Sequence, residues 1–579
     1  MSPTPSVHNA DIARCFDEIA DLLELEGANP FRIRAYRNAS RVVGELQIDL
    51  AARLAEGGEL PKIAGVGEDL AGKISQICAT GTCDALEELR THFPPGITEL
   101  LRLPGLGPKR AALLHEKLRI DSLEDLKRAA AAGKLHDVPG FGEKSEQKLL
   151  EAVEARLSKA RRFKLAFAAQ YAEPLAKYLG ATVAGSYRRM RETVGDLDLL
   201  VATKDAAPVI ERFVKYAEVK EILARGSTKA TVVLACGLQV DLRVVAPESF
   251  GAALHYFTGS KAHNIAVRRM GMALGLKINE YGVFRGEKRI AGATEESVYR
   301  SVGLPYIEPE LREMQGELQA AKEGTLPDLV TLADLQGDLH VHTDASDGRA
   351  SLADMARAAK ARGLHYLAIT DHGSKIPVTH GLDAARLARQ GREIDALNSS
   401  RAGIVLLRGI EVDILEDGTL DLPDAALARL DLVVGAVHAK FNLSRARQTQ
   451  RILAAMENPR LSILAHPPGR LIDEREPYDV DMAAIMRKAR DLGVVLELNA
   501  HPDRLDLNDA HCRMARDLGV RVSIGTDAHT VDGLADLRYG IGQARRGWLG
   551  KAQVLNALPL AAMKRALARR RATHTTEAR

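Results

Sequence analysis

No stretch of about 18 consecutive apolar residues occurs in the chain, so nothing in it is expected to span a membrane. The first residues, MSPTPSVHNADIARC, lack the basic-then-apolar layout of a secretion signal. Cysteine is scarce: five in 579 residues, at positions 15, 78, 83, 236 and 512, spaced neither as a zinc site nor as a disulfide framework. These absences argue against a membrane-spanning protein and a disulfide-stapled secreted one, and they predict a reducing cytoplasm. Excess charge is lacking too. Lys and Arg number 80 against 77 Asp and Glu, so a net +3 selects no partner class. With 46% hydrophobic and 27% charged residues the composition is that of an ordinary globular protein. The length exceeds what one core supports and predicts about three to five domains.

What charge there is, is local. FRIRAYRNASR (31–41) carries four arginines and no acid, and SYRRMR (186–191) carries three more. Either run alone reads as a solvated face. A repeated design gives the first of them company. IAGVGEDLAGKI (63–74), LPGLGPKRAALL (103–114) and VPGFGEKSEQKLL (138–150) each place Gly-hydrophobic-Gly between an apolar residue and an amphipathic helix. The glycine pairs Gly65/Gly67, Gly105/Gly107 and Gly140/Gly142 permit a tight turn, and the exposed amides at the following helix start can hold a phosphate. A single such turn is usually only a helix connection. Three within about ninety residues resemble the helix-hairpin-helix motif, which grips nucleic-acid backbone without reading bases.

Further on, ATVAGSYRRMRETVGDLDLLVAT (181–203) ends in an alternating, half-buried strand pattern with Asp196 and Asp198 on one face. TVVLACGLQVDLRVV (231–245) reads as a second strand whose hydrophobic run ends at Asp241. Three carboxylates on neighbouring strands suit two hard divalent cations, Mg²⁺ by preference, which would activate an attacking hydroxyl and clamp a leaving pyrophosphate. The bland reading is a set of aspartates at strand ends. The small Gly185-Ser186 turn, able to wrap triphosphate oxygens, argues against it. GSYRR, GDLDLL, VDLR and YFTGSKAHN follow one another as in family X DNA polymerases, the group that includes DNA polymerase beta, and the resemblance covers residues 10 to 310. It implies that Asp196 and Asp198 bind both metals and that Asp241 binds the catalytic one and takes the primer 3′-hydroxyl proton. It implies that Gly185, Ser186 and Arg189 hold the triphosphate. Tyr256, Phe257 and Gly259 would flank the incoming sugar, Asn264 the nascent base pair and Arg268 the template strand. It also offers Lys73 as a Schiff-base nucleophile for a 5′-deoxyribose phosphate, with Tyr36, Arg34 and Arg37 as neighbours, beside the plainer reading of a lysine that contacts phosphate. The pattern departs at Lys261, where the animal enzymes carry an acid, and at Asp69, where they carry a base.

The C-terminal half is histidine chemistry. GDLHVHTDASDG (337–348) sets His340 and His342 on one strand face, a pairing that suits a borderline transition metal. Strand-like runs recur about every 30 residues at LHYLAITDH (364–372), IVLLRGIEVD (404–413), LDLVVGAVH (430–438), LSILAHP (461–467), VVLELN (494–499) and VRVSIGTDAH (520–529), with helical patterns between. Nearly all end on a metal-capable side chain. Such repeats build a (β/α) barrel with its chemistry at strand C-termini, and seven of them predict a distorted one. His340, His342, Asp347, His372, Glu411, His438, His466, Asp527 and His529 would leave many buried charges unpaired unless metals sat among them. The constellation resembles the PHP domain and fills the nine positions of its trinuclear pattern, with Mn²⁺ or Zn²⁺ ligation suited to the mixed donors. His365, His380 and His511 are given no ligand role. Asn499 and His501 are candidates for a supporting shell.

The expected architecture is therefore α-helical helix-hairpin-helix domains at 1–85 and 86–158, an α/β nucleotidyltransferase palm at 159–250, an α/β thumb at 251–318, a linker at 319–335 and a distorted (β/α)7 PHP barrel at 336–579. The resemblance implies a bacterial-type polymerase that fills short gaps in DNA with dNTPs and Mg²⁺, coupled to a 3′-5′ exonuclease or 3′-end-processing activity, acting as a cytoplasmic monomer on gapped or primer-template DNA. Two readings stand beside it. One keeps the polymerase but makes the PHP domain a metal-stabilised scaffold; the other is a template-independent nucleotidyltransferase with a separate phosphatase.

Overall fold

The computed structural model describes residues 7–577 apart from positions 47, 64, 95, 102, 104, 159–161, 376–378 and 401–402. The first six residues, Ala64 and Pro104 of two hairpin segments, and the start of the palm as bounded at 159 lie outside the described residues. The chain divides into two compact units, Met1–Phe163 with Lys215–Ile222 and Val232–Gln239, and Lys164–Val214 with Leu223–Thr231 and Val240–Arg579.

The first unit is helical. Its three hairpin helices are Glu68–Thr80, Pro108–Leu118 and Glu143–Ser158. Leu70, Ile74 and Ile77 recur at helical spacing and are buried in one core with Leu106, Ala111, Leu114, Val138 and Leu149. The first glycine of each pair sits at positive φ, 77° at Gly65, 83° at Gly105 and 90° at Gly140, where an L side chain is strained. The second glycine precedes the helix, and a Cβ at 67, 107 or 142 would meet nothing within 4 Å, so backbone there faces open space. Arg110 ties two hairpins together by donating to the carbonyls of Gly105 at 3.1 Å and Gly140 at 2.9 Å.

The palm is a five-stranded sheet in the order Thr182–Val183, Asp196–Ala202, Gln239–Val245, Lys229–Leu234, Val219–Arg225. The expected single strand over 231–245 is in fact a hairpin, because Gly237 takes φ 89° and turns the chain between Leu234 and Gln239. Asp241 still lands on the neighbour of the Asp196–Ala202 strand. Helices Phe250–Thr258 and Lys261–Ala273 follow, then the antiparallel strands Lys277–Asn279, Gly282–Arg285 and Lys288–Ala291 and the helix Glu295–Ser301.

The segment expected as a linker at 319–335 is structured. Through this region the chain forms a 3-10 turn at Pro309–Leu311, a short helix Glu317–Glu323 and another turn at Leu332–Asp334. Leu329 and Val330 are buried, and the Val330 amide donates to the Leu549 carbonyl at 3.0 Å. Apolar residues inside a Gly/Pro-punctuated stretch dock it against the C-terminal half instead of leaving a tether.

All seven strand-like runs of that half contain strands, arranged as two parallel sheets. One holds Gly337–Asp338, Tyr366–Ile369 and Val405–Arg408; the other holds Glu411–Asp413, Val434–Ala436, Ile463–Leu464, Val495–Asn499 and Val522–Gly525. The third run breaks at Gly409 and serves both sheets. Parallel bridges join Val341 to Ala528 and His372 to Glu411, so the sheets meet where the ligand-type residues lie. Ser351, Asp383, Ser444, Asp481 and Asn508 cap the intervening helices by accepting backbone N–H bonds, which is why the chain turns from strand to helix there. The five cysteines are free. Among the described residues no helix is long and apolar enough to cross a membrane.

Candidate active sites

The palm site forms where the strand Asp196–Ala202 lies beside Gln239–Val245 and against the short helix Gly185–Arg188. Gly185 is at φ 64°, and a Cβ there would fall 2.4 Å from Asp198 Oδ2, so only glycine lets the turn close on that carboxylate. Burial and the neighbouring carboxylates of Asp196 and Asp241 push Asp198 up to about 7, against the pull of Arg243 and Arg189. The Thr231 hydroxyl donates to Asp241 Oδ1 at 2.5 Å. Three carboxylates close enough to act on one another, with arginines nearby, are an arrangement whose repulsion a cation would relieve.

Arg189 lies on the rim of this site. Its Nε donates to Glu313 at 3.0 Å and its Nη1 to the Thr258 carbonyl at 2.5 Å. Gly259 has φ 71°, and a Cβ there would crowd Arg189 Nη1 at 3.1 Å. The Tyr256 and Phe257 rings meet edge-on at 5.1 Å. Asn264 donates to the Tyr256 carbonyl at 2.6 Å, while its Oδ1 is buried without a hydrogen-bond partner. Arg268 is exposed on the helix Lys261–Ala273. A charged clasp supports the group from below: Glu295 accepts from Arg188 at 2.6 and 3.0 Å and from Arg312 at 2.6 Å. Burial raises the Glu295 carboxyl, but these two guanidiniums win and hold it down at about 2.

Lys73 corrects an expectation. A Schiff-base nucleophile needs a lowered pKa. Burial pulls this amine down, but the hydrogen bond to Asp69 Oδ1 at 2.5 Å and the nearby Tyr36 raise it overall. Tyr36 is a neighbour, with Lys73 Nζ 6.0 Å from its ring centroid. The arginines take other partners, Arg34 the Pro30 carbonyl and Phe31 ring, and Arg37 the carboxylates of Asp21 and Glu24.

In the C-terminal half the nine ligand-type residues converge. Three overlapping clusters bring donor atoms within 4.8 Å of one another: His342, Asp347, His372 and His529; His340, His342 and Asp527; His372, Glu411 and His438. Glu411 stands at the centre, 2.9 Å from His372 Nδ1, 3.2 Å from His466 Nε2, 3.3 Å from His438 Nε2 and 3.5 Å from His340 Nε2. The palm triad is not among these tight clusters; like charges spread, whereas imidazoles and carboxylates attract. Burial would raise Glu411, but His372, His340 and His438 hold it well below its ordinary range, and burial together with His529 and His372 pushes His342 down to about 4. His340 Nε2, both His342 nitrogens, His372 Nδ1 and Glu411 Oε2 are buried and make no hydrogen bond. Donors so close without hydrogen-bond geometry are arranged for divalent cations, and the residues present fit them. His466 and Asp527 adopt positive φ, 27° and 56°, which for non-glycine residues is strain of the kind found at functional positions.

A supporting shell holds the ligands in place. Glu497 Oε1 pairs with His340 Nδ1 at 2.6 Å and Asp413 Oδ1 with His438 Nδ1 at 2.8 Å, fixing which imidazole nitrogen faces inward. Neither was singled out from the sequence, yet each lies two residues from a named position on the same strand face, Glu497 before Asn499 and Asp413 after Glu411. Asn499 donates to Asp527 at 3.0 Å, as expected of a supporting residue, whereas the His501 ring lies toward Asp503. Asp371 accepts from Thr343 and Gln390 and so anchors the loop that carries Asp347. Arg504 Nε is 3.6 Å from Asp527 Oδ2, and its Nη1 is buried without a hydrogen-bond partner. His365, His380 and His511 belong to none of the clusters.

These geometries agree with comparisons to known proteins. Residues 7–83 match a helix-hairpin-helix domain, 97–155 a SAM-like helix-hairpin-helix tandem, 253–313 the DNA polymerase beta thumb and 338–501 the PHP domain. Over 565 residues, 96% of this chain and 98% of the relative, it is 38% identical to the DNA polymerase/3′-5′ exonuclease PolX of Bacillus subtilis (strain 168). The chain belongs to the PolX family. The PHP region alone also resembles shorter proteins. It is 32% identical over 204 residues to a probable phosphatase of Thermoanaerobacter sp. (strain X514), covering 33% of this chain and 78% of that protein. A probable phosphatase of Syntrophotalea carbinolica is 30% identical over 230 residues, 38% of this chain and 90% of the relative. The PHP match ends at residue 501, before Asp527 and His529, which the fold returns to the same cluster.

Proposed function

We propose that the chain is a DNA-directed DNA polymerase that fills short gaps during repair and carries a metal-dependent 3′-5′ exonuclease in its PHP half. The observation that carries this is a pair of separate sites: an aspartate triad facing a glycine turn, and eight ligand-type residues gathered around Glu411. A retained full ligand set, with its supporting carboxylates, favours hydrolysis over a scaffold role. The hairpins and the thumb favour duplex DNA over a template-independent reaction.

Two Mg²⁺ ions in the palm would lower the pKa of the primer 3′-hydroxyl and neutralise the leaving pyrophosphate. Asp196 and Asp198 would hold both ions, and Asp241, fixed by Thr231, would hold the catalytic ion and accept the hydroxyl proton. Ser186 and Arg189 hold triphosphate oxygens, and the Gly185 turn keeps them close to Asp198. Gly259, flanked by Tyr256 and Phe257, leaves backbone where a 2′-hydroxyl would sit. The unpartnered Asn264 Oδ1 faces the base pair and Arg268 the template. In the PHP half up to three Mn²⁺ or Zn²⁺ ions would supply an activated water. Arg504 is placed to meet an oxygen of the scissile phosphate. The hairpin glycines Gly65, Gly67, Gly105, Gly107, Gly140 and Gly142 present amides to the DNA backbone. Lys73 contacts phosphate in this reading and is not a nucleophile. The two parallel sheets close as a distorted seven-run barrel, the domains divide as the sequence patterns suggest except that 319–335 is docked and not a linker, and the enzyme works as a monomer on the bacterial nucleoid.

Primer extension with and without the template strand, followed by incubation of 5′-labelled DNA with Mn²⁺ and no dNTPs, tests both halves. Template-independent addition, or labelled DNA left intact, would overturn the corresponding half.

A further inference from the structure

The helix Leu537–Arg546 belongs to the PHP half, yet one side of it is built around the polymerase turn that follows Arg189. A Cβ at Gly542 would stand 2.5 Å from Met190 Cε and 2.9 Å from its Cβ, so Met190 occupies the space a side chain would fill. Gln543 Nε2 donates to the Met190 carbonyl at 2.8 Å. Arg546 Nη1 donates to the Arg189 carbonyl at 2.9 Å and to Glu313 Oε1 at 2.9 Å. Met190 itself has φ 53°, a conformation a non-glycine residue keeps only when its surroundings impose it.

The Arg546 guanidinium is bound from both directions. Its Nε and Nη2 donate to Asp509 Oδ2 at 3.0 and 2.6 Å, within the PHP half, and its side chain is 4% exposed. Glu313 Oε1, which it shares, also accepts from Arg189 Nε at 3.0 Å, with Arg191 Nη1 at 3.6 Å. One carboxylate thus serves three guanidiniums. That sharing has a consequence. All three meet the same oxygen, Glu313 Oε1, so without Arg546 its charge is shared among fewer cations and its charge-assisted bond to Arg189 Nε tightens. Arg189 would then leave Glu313 for a triphosphate less readily, and the turn holding it would lose its outer support.

We propose that Arg546, a residue of the PHP half, is a positioning residue for nucleotide binding by the polymerase half, holding the 189–191 turn and dividing the Glu313 carboxylate so that Arg189 remains available to the triphosphate. The polymerase site is then incomplete without the PHP helix, independently of any hydrolysis by the barrel. The inference rests on the reading of Arg189 as a triphosphate ligand.

Steady-state single-gap filling by the full-length enzyme, read as KM for the dNTP against kcat, separates the two. Arg189→Ala should raise KM by about thirtyfold or more; an unchanged KM there would remove Arg189 from the pocket and the inference with it. Arg546→Ala should raise KM about tenfold with kcat within about twofold. Exonuclease rate on the same DNA should stay near that of the parent when both are assayed well below the melting transition, which loss of a buried guanidinium lowers. Arg546→Lys, which keeps the charge and loses the fork, should recover part of the KM effect. Adding Arg546→Ala to Arg189→Ala should change KM little further, because both act through one contact. An unchanged KM in Arg546→Ala with a raised KM in Arg189→Ala would overturn the inference alone. So would effects that multiply in the double variant. Parallel loss of polymerisation and exonuclease in both Arg546→Ala and Arg546→Lys would show a merely structural residue and overturn it as well.

Discussion

In the proposed reading the two candidate sites solve the same problem, holding divalent cations near a phosphodiester, with opposite electrostatics. In the palm, Asp196, Asp198 and Asp241 repel one another, and Asp198 is driven up to about 7. In the PHP half each carboxylate is matched by imidazoles, so Glu411 is pulled well below its ordinary range. The palm is an unfavourable arrangement that a cation would make favourable; in the other the charges already attract, but buried imidazole and carboxylate atoms are left without hydrogen bonds for a cation to satisfy. The first suits hard, exchangeable ions arriving with a triphosphate, the second resident ions held by nitrogen donors.

The sharpest break in the comparison is single-site ablation. Asp198→Ala should lower polymerisation by about three orders of magnitude or more while hydrolysis of a 3′ end persists, and His340→Ala should do the reverse. Parallel extension and degradation assays on one labelled gapped substrate measure both. If either substitution removed both activities from a folded protein, two independent sites would be ruled out.

Next in size is the supporting shell, developed only in the PHP half. Glu497→Gln and Asp413→Asn leave every ligand in place but release the partners that orient His340 and His438. Exonuclease activity or metal affinity should fall about 10–100-fold, with gap filling near the parent level. Metal titration of chelated protein, read by exonuclease rate and by metal content, checks this. Losses no larger than those of a distant surface substitution would mean that the imidazoles orient themselves.

How legible these sites were depended on whether the signal was periodic or three-dimensional. Alternation placed Asp196 and Asp198 on one face, and strand-end histidines announced nearly all the residues that cluster around Glu411, because strand period and parallel topology are local rules. Glu497 and Asp413 passed unnoticed because a carboxylate one step from a ligand on the same face has no pattern of its own; only the partner strand gives it a role. The break in the 231–245 run was signalled by Gly237, but a continuous apolar stretch masked it. The docking of 326–335 could not be read from Gly/Pro punctuation, since its energy lies in what Leu329 and Val330 pack against. Lys73 failed for a different reason. Its placement near Tyr36 was right, while its protonation state turned on whether Asp69 reaches its amine.

A smaller effect separates the two sites in the metal-free protein. Asp198 has its folded pKa raised, so between about pH 4 and 7 the folded state binds more protons than the unfolded one, and stability falls as pH rises through that window. Asp198→Asn removes this term. At pH 8 in chelator it should stabilise the protein by about 2 kcal/mol, after allowing for the part of the carboxylate that water screens, and the gain should vanish near pH 4. Glu411 is lowered, so its contribution is present above about pH 4.5 and lost as pH falls through its folded value. Glu411→Gln should therefore destabilise at pH 8. Thermal melts of both variants across that range test the signs; two shifts in the same direction would erase the electrostatic contrast.

The smallest expected effect lies away from both metal sites, at Lys73. Its side chain is 16% exposed and its amine is tied to Asp69 across one helical turn. A neutral amine is needed for attack on a deoxyribose aldehyde, and the Asp69 carboxylate stabilises the protonated form. Borohydride treatment at neutral pH with a 5′-deoxyribose phosphate substrate should therefore trap little adduct at this position. Asp69→Asn takes away the hydrogen-bonded carboxylate while burial still favours the neutral amine, so trapping should rise a few-fold, and Lys73→Ala in that background should abolish the increase. Lys73→Ala alone should weaken binding to 5′-phosphorylated gaps about two- to threefold, the size of one exposed phosphate contact, with the difference shrinking as salt is added. Efficient trapping in the parent that disappears with Lys73→Ala would mean that DNA displaces Asp69 from the amine and that the lysine is a nucleophile after all.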